Sequence, residues 1–544
     1  MRETVTDQTL PLRNVTSGAI IAALAATAAV TLTATPAGAL TELEAATAQE
    51  LRDHLFSAAS NPGDEYYITL ANDIEWTGLP AVYAGGDQIT IDGLGYTITL
   101  DDSTESVLWI ASTAEVQVRD LAVEGGAATH VFSLQGSTVG LLDVHIREVE
   151  VVDYAVAIEA SASTLVDLST FGEIESANGR GAALNIDSPN IEIDASEFSS
   201  NVAHDRQGGA IYANTGFMFV EESVFELNEA NEHGGAIFLN AGSAVVAAST
   251  FDRNSAGEYG GAIAAVDGSV QIFDSTFSNN GAQWGGAVYA SRFVNATGAL
   301  FTGNSAIYLG GAVHSAGLAQ SSSVWSSTFH DNYAQLVGGA FFGEARGLTV
   351  EGSTFTSNQG IAGAHIFLVA QDGTLHTFGS VYADAMGDYA CQAHGGTISL
   401  GYNFDQDSWC TNAHEGDGDE GWLADPQLGE LQDNYGPTHT RMPLEGSPLI
   451  NKIDADTCAT YYAGYNVAWD QRDLHRASVA DYDGGCDIGA VEYVGSVTTT
   501  IAGPQGPITV TVDGAYGFED GCQVVTPFSS APAGAPAGTS FPHG

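Results

Sequence analysis

Apolar residues alternate with small or polar ones over short stretches of this chain, as in residues 245–251 (VVAASTF), 270–277 (VQIFDSTF) and 348–355 (LTVEGSTF). A period of two marks half-buried strands, and the intervals between these stretches leave no room for a globular helix within a repeat. The same alternation runs earlier, through residues 89–100 (ITIDGLGYTITL) and 116–126 (VQVRDLAVEGG). Residues 39–60 read instead as an amphipathic helix, followed by a turn at 61–63 and a strand. A solenoid needs a polar-faced element to cover the open edge of its first coil, so this helix is the expected N-terminal cap.

The strands keep a beat. GGA followed by a β-branched or aromatic residue recurs at Gly208-Gly209, Gly234-Gly235, Gly260-Gly261, Gly285-Gly286, Gly310-Gly311 and Gly338-Gly339, in steps of 26, 26, 25, 25 and 28 residues. In phase with it runs FxxN, at Phe198/Asn201, Phe225/Asn228, Phe251/Asn254, Phe277/Asn280, Phe301/Asn304, Phe329/Asn332 and Phe355/Asn358. Weaker copies at residues 169–171 (STF) and 181–183 (GAA) extend the phase backward. Strands at this period with no crossover helix must each pair with their equivalent one coil away. That predicts an all-β, right-handed parallel β-helix of roughly ten or eleven coils, rising about 4.8 Å per coil to a rod of roughly 50 Å. In that frame the phenylalanines stack in the core. The asparagines take a left-handed backbone and form an amide ladder, and the glycine pairs supply positive φ and close backbone approach at a bend.

Charge narrows the partners. Against 14 basic residues stand 67 acidic ones, for a net charge of −53, and Lys452 is the only lysine. Such a surface repels nucleic acid, anionic lipid and acidic polysaccharide, leaving neutral or cationic partners and divalent metals. With 44% hydrophobic residues and 65 glycines, the chain has the composition of a folded protein rich in tight turns. At its start, Arg2 and Arg13 precede an apolar stretch at 19–32 and the triplet Ala37-Gly38-Ala39. This order predicts a secretory signal over residues 1–39 and an exported mature protein with no membrane span. Five cysteines, Cys391, Cys410, Cys458, Cys486 and Cys522, occupy the last third without metal-site spacing, so disulfides are expected with one cysteine left over.

The paired GGA[IV] and FxxN motifs resemble the polymorphic outer-membrane protein repeat, over roughly residues 181–358. The resemblance implies a secreted, surface-exposed β-helix, and in that family the motifs are linked with adhesion. The chain departs from the pattern in showing no C-terminal series of amphipathic strands for an autotransporter barrel. Farther on, the stretch Asp425 to Gly429, Ser447-Pro448, Asp470-Gln471-Arg472 and the run Cys486 to Ala490 resemble a choice-of-anchor Q domain, which ends exported β-helix proteins before a surface anchor. Its turns imply cap chemistry, and the cysteine spacing points to Cys391 with Cys410 and Cys458 with Cys486 as two staples of a C-terminal cap. The last residues resemble the opening of a choice-of-anchor U domain, which would hold the partner of Cys522. The expected division is 1–39 signal, 40–75 cap helix and first strand, 76–375 β-helix repeats, 376–493 β-helix end and anchor-Q-like module, and 494–544 linker with the start of a further domain.

Candidate chemistry is sparse. The residue before each glycine pair is Gln207, His233, Tyr259, Trp284, Leu309 and Val337. His233, Tyr259 and Trp284, stacked on an outer face, would form a platform for a neutral glycan or a cell-surface protein; the alternative is simple packing along the solenoid. Asp417, Asp419 and Glu420, in a glycine-rich acidic loop with His414 and Glu415, suit calcium as the candidate ion, against the alternative of a solvated loop. No cofactor is otherwise implied. Polysaccharide lyases and glycoside hydrolases also use this architecture. Here, though, Arg206, Arg253, Arg292 and Arg346 share no common position, and Asp101-Asp102 and Glu221-Glu222 are the carboxylate pairs to weigh. The expectation is therefore a non-enzymatic, monomeric, secreted or cell-surface protein used for adhesion or display, with a polysaccharide enzyme and a passive structural rod as alternatives.

Overall fold

A computed structural model describes residues 40–512, apart from 64, 103, 345, 413–415, 422, 464–467, 477–483, 494–496 and 504–505. The expected signal over 1–39, His414, Glu415, Cys522 and the expected domain start beyond 512 lie outside the described residues.

In the FxxN stretches the phenylalanine of one coil registers with that of the next, through Phe198, Phe225, Phe251, Phe277, Phe301, Phe329 and Phe355. From Phe171 to Phe355 the rings stack at 4.5–5.1 Å between centroids, within 12° of parallel. Each ring is fully buried, a burial that contributes about 1.5–3 kcal/mol per side chain. All pairings within the main sheet are parallel, and the chain winds into a β-solenoid of about 14 turns. That exceeds the ten or eleven coils expected, because the coils before Gly181 lack both motifs and carry their cores on isoleucine, valine and leucine instead.

The asparagines form a continuous ladder. Each side-chain amide donates to the Oδ1 of the next, at 2.8–3.0 Å, from Asn201 through Asn228, Asn254, Asn280, Asn304 and Asn332 to Asn358. Each also donates to the carbonyl of a phenylalanine one coil back, as Asn254 does to Phe225, Asn304 to Phe277 and Asn332 to Phe301. The backbone corrects one expectation. The left-handed conformation expected at Asn201, Asn228, Asn254, Asn280, Asn304, Asn332 and Asn358 lies one residue earlier, at Ser200, Leu227, Arg253, Asn279, Gly303, Asp331 and Ser357. The amide must point inward to reach its neighbours, so the turn falls on the outward residue before it. A second ladder is built from serine: the backbone N–H of Ser169, Ser196, Ser223 and Ser249 each donates to the hydroxyl of the serine one coil on, ending at Ser275. It is interrupted at Ala299 and resumes through Ser327, Ser353 and Ser380.

The glycine pair divides its labour. The first glycine has positive φ, +64° at Gly234. A Cβ on the second would meet the neighbouring coil's backbone, 2.1 Å from the Gly261 carbonyl at Gly235.

At the N-terminal end the structure corrects the expected helix. Leu40–Ala45 is a strand, paired in parallel with Glu65–Leu70, and the helix is confined to Ala48–Ser60. Thr47 caps it, accepting from the Glu50 N–H, while the Glu50 carboxylate accepts from the N–H of Ala46, the residue before the cap, at 2.7 Å. Leu51, Leu55 and Ala58 turn inward over the first coils.

The solenoid runs past residue 375 to the strand Phe404–Asp405. Beyond it the chain does not merely plug the end: it doubles back along the flank. Ser326 donates to the Trp469 carbonyl (2.7 Å), Thr328 to Gln471 Oε1 (2.6 Å), Thr438 to the Gly298 carbonyl (2.9 Å) and Gly489 N–H to the Gly379 carbonyl (2.8 Å). The column of left-handed residues opening each FxxN strand reads Leu168, Ala195, Glu222, Ala248 and Asp274 where it is bare. It changes to Gly298, Ser326, Gly352 and Gly379 under this flap. A Cβ at Gly379 would stand 2.5 Å from the Tyr462 hydroxyl, so the small residues make room for the flap. Both expected disulfides form: Cys391–Cys410 ties the last coil, and Cys458–Cys486 joins the helix Ala455–Ala463 to the strand Gly485–Cys486. Where a linker was expected, Val497–Gly503 and Gly506–Val512 pair as an antiparallel hairpin.

Candidate functional site

Three features carry chemistry: an outer corner, a carboxylate column and the flap's buried ion pairs. At the corner His233, Tyr259 and Trp284 are brought into register by parallel bridges. Their rings lie 4.7 and 5.1 Å apart, tilted by about 35°, each side chain half-buried. They are neither a free platform nor closed core. Inner neighbours that sequence reasoning passed over support them: Phe238 against His233 (5.8 Å) and Tyr289 against Tyr259 (4.5 Å). The signal was present in the letter after each GGA[IV], which reads Tyr212, Phe238, Ala264, Tyr289 and His314. Burial lowers the pKa of His233, with Glu258 3.7 Å away pulling the other way.

The corner continues beyond this expected trio. Trp284 touches Tyr308 (5.0 Å), and Tyr308, Leu336 and Ile361 stack on consecutive coils through Leu336 N–H to the Tyr308 carbonyl and Ile361 N–H to the Leu336 carbonyl. On the next coil the column passes to the exposed Asp388, whose N–H donates to the Ile361 carbonyl at 2.9 Å, and Tyr389 after it packs on Trp409 with rings 4.5 Å apart. Ile361 is 58% and Trp409 50% exposed. Upstream the same positions are Arg206, Glu232, Glu258 and Gln283. The column is thus polar through Gln283, apolar at Tyr308, Leu336 and Ile361, and charged again at Asp388.

On a different face, Asp167, Asp194 and Glu221 register on consecutive strands, with Glu192 two residues from Asp194 and Glu222 beside Glu221. Burial, reinforced by Asp194, Glu222 and Glu192, pushes Glu221 up to about 7. Burial, followed by the neighbouring carboxylates of the column, also raises Glu192 and Asp194. Of the pairs weighed from sequence, Glu221-Glu222 joins this column. Asp101-Asp102 stays apart on a turn.

The flap's buried charges pair with one another. Arg476 Nη1 meets Glu492 at 2.5 Å and Arg472 meets Asp470 at 2.9 Å, all four buried. Gln471 spans the interface to the Ala299 carbonyl, and Asp487 accepts from the Asn451 N–H. In the acidic loop, Asp419 accepts from the Asn403 N–H and side chain and from the Gly416 N–H, and Glu420 pairs with Lys452 at 3.0 Å. These carboxylates are engaged by protein donors. Among the described residues no group of three or more His, Cys, Asp or Glu is arranged to hold a metal ion.

Fold and corner define a parallel β-solenoid built on a short in-phase repeat. Three segments, residues 195–214, 248–266 and 274–291, match the Chlamydia polymorphic membrane protein repeat. Each segment opens on a left-handed residue of the serine turn, Ala195, Ala248 or Asp274, and runs through FxxN to the strand after GGA. No curated protein and no solved structure matches the chain.

Proposed function

We propose that the protein is exported and displayed at the cell surface, where the apolar stretch of its corner ridge adheres to a neutral glycan or a protein of another surface. The observation that carries this reading is the ridge Trp284, Tyr308, Leu336 and Ile361, continuous over consecutive coils on a chain of net charge −53, with the exposed ring pair Tyr389 and Trp409 beyond Asp388. Side chains of this kind anchor interfaces, while the surrounding carboxylates keep copies of the rod apart. The matched repeat, whose named family is a membrane protein of Chlamydia, supports surface display. The flap, with its resemblance to a choice-of-anchor Q domain, is the end that faces the cell.

Glycan-array and cell binding by the purified chain test this, with reducing-sugar release followed on the same samples. Binding lost in Trp284→Ala and in Leu336→Asp, without sugar release, supports adhesion. Unchanged binding in both variants removes the ridge as the site. A second reading, polysaccharide hydrolysis, is favoured by the carboxylates on adjacent coils and requires sugar release that Glu221→Gln abolishes.

A further inference from the structure

The column of Asp167, Asp194 and Glu221 is poorly explained by folding alone. Glu221 is only 6% exposed. The charges that act on it, Asp194, Glu222 and Glu192, are all negative, and no described side chain donates a hydrogen bond to its carboxylate. Farther along the same column the protein shows how such a group is satisfied. Glu351 is 5% exposed and accepts from the Tyr461 hydroxyl of the flap at 3.1 Å. Phe378, one coil on, is covered by the same Tyr461 ring at 3.6 Å. The flap spans the column where Trp325, Glu351 and Phe378 stand and leaves Asp167, Asp194 and Glu221 bare. A buried polar group without a partner costs free energy that a ligand of the opposite sign can recover.

We propose that Asp167, Asp194 and Glu221 form a binding site for a linear organic polycation, whose ammonium groups sit one per coil between successive carboxylates. The repeat of about 4.8 Å between strands is close to the separation of amines joined by three methylenes, the shorter of the two spacers in spermidine. Two residues before Asp167 and Glu221 stand Leu165, 37% exposed, and the half-buried Phe219; both lie on the same outward face and offer apolar cover for methylene spacers. Phe219 also presents a ring to an ammonium group. A divalent ion fits less well, because no described cluster has the convergence a metal needs. The chemistry is shared by free polyamines and by lysine-rich segments of a partner protein. Binding an ammonium group favours the ionised carboxylates, so protons leave as the ligand arrives. The raised pKa of Glu221 places that release near neutral pH.

The test is calorimetric titration of the full chain with spermidine at pH 7 and low salt, in two buffers of different ionisation enthalpy. One-site binding with net proton release is expected. Glu221→Gln should weaken it at least fivefold and abolish the proton release, whereas Glu75→Gln, a change at an exposed carboxylate on the strand Ile74–Trp76, should alter neither. A parallel titration with a short oligolysine separates the two sources: tighter binding of the peptide points to a partner segment, tighter binding of spermidine to a free polyamine. As a check independent of affinity, carbon NMR of the Glu221 carboxyl should show its titration midpoint falling on ligand saturation. Equal weakening by Glu221→Gln and Glu75→Gln would show only diffuse attraction to an acidic rod and overturn the proposal. So would Glu221-dependent binding of calcium with none of spermidine.

Discussion

Asn228 and Asn254 stand one coil apart in the interior of the rod and share an amide hydrogen bond, Nδ2 to Oδ1, of 2.9 Å. Asn254 Oδ1 also accepts the Asn228 N–H at 3.0 Å, and its own amide donates to Asn280 and to the Phe225 carbonyl. One side chain therefore satisfies groups on both neighbouring coils. Asn254→Ala should orphan several buried donors and acceptors together and cost about 3 kcal/mol or more, at roughly 1–3 kcal/mol for each unsatisfied group. Because coils interact with nearest neighbours, the loss should be local. Hydrogen exchange should accelerate across residues 225–280 first, leaving the coils before residue 150 protected. Uniform acceleration would contradict the ladder as a chain of local bonds.

Gly235 faces a backbone, not a side chain, and that sets what it tolerates. An added Cβ would lie 2.1 Å from the Gly261 carbonyl and 2.5 Å from the Ser255 carbonyl, neither of which can swing aside. Gly235→Ala should therefore prevent the coils from closing at their normal spacing. Gly396→Ala, at a turn with φ +94° and open space around it, should cost only about 1–3 kcal/mol of backbone strain. Circular dichroism melts of the two variants compare these outcomes directly. A Gly235→Ala protein as stable as Gly396→Ala would mean that the coils are not this tightly apposed.

The fold was readable because its evidence repeats: a phenylalanine or a glycine pair that recurs each coil carries its own register, and a period of two leaves no other pairing. The positions of Asn304 and Asn332 in the ladder were legible from FxxN, but their backbone conformation was not, because the motif does not say which of two adjacent residues takes the turn. The serine ladder was as regular, with Ser249 and Ser275 two residues before Phe251 and Phe277, yet STF looked like ordinary strand composition. What could not be read is what occurs once. Nothing local in Gln471 or Thr438 announces a partner at Ala299 or Gly298, more than a hundred residues away, so the flap looked like an end plug. Its trace is the change from Ala248 and Asp274 to Gly298 and Gly352 in the left-handed column, which gains meaning only when the column is known. The apolar ridge holds one offset, two residues before the left-handed glycine of its coil, at Tyr308, Leu336 and Ile361, but the same column reads Arg206, Glu232, Glu258 and Gln283 upstream, and a column with no constant residue type does not stand out as a motif.

Arg476 and Glu492 are the flap's principal lock. The guanidinium reaches Glu492 at 2.5 Å, the Gly489 carbonyl at 2.8 Å and the Gly352 carbonyl of the solenoid at 3.3 Å, with both residues fully buried. Removing one partner leaves a buried charge uncompensated, so Arg476→Met or Glu492→Leu should each cost about 3–5 kcal/mol. The double variant should be less damaging than the sum, since an apolar pair of similar volume leaves no orphan charge. Limited proteolysis gives the readout: in the single variants the flap should be cleaved between residues 440 and 490 while the solenoid resists. Simultaneous loss of both parts would mean that the flap is integral to the rod's folding.

Glu221 and Glu351 should make the rod less stable as pH rises. Burial is the main cause that pushes both carboxyls up to about 7, from an ordinary value of 4.5. Between those values the folded chain holds protons that the unfolded chain has lost, so stability falls as pH climbs through that window and stays lower above it. Glu221→Gln removes one such group. Its melting temperature, relative to the parent, should rise more at pH 8 than at pH 5. His365 contributes with the opposite sign: burial holds it down at about 3, so stability is lost as pH falls below 6.5. That contribution is common to parent and variant and cancels in the comparison, leaving the difference between the two pH values as the measure of Glu221 alone. A difference that does not change with pH would mean that the carboxylate column is already neutralised, and would remove the electrostatic reason for expecting a cation there.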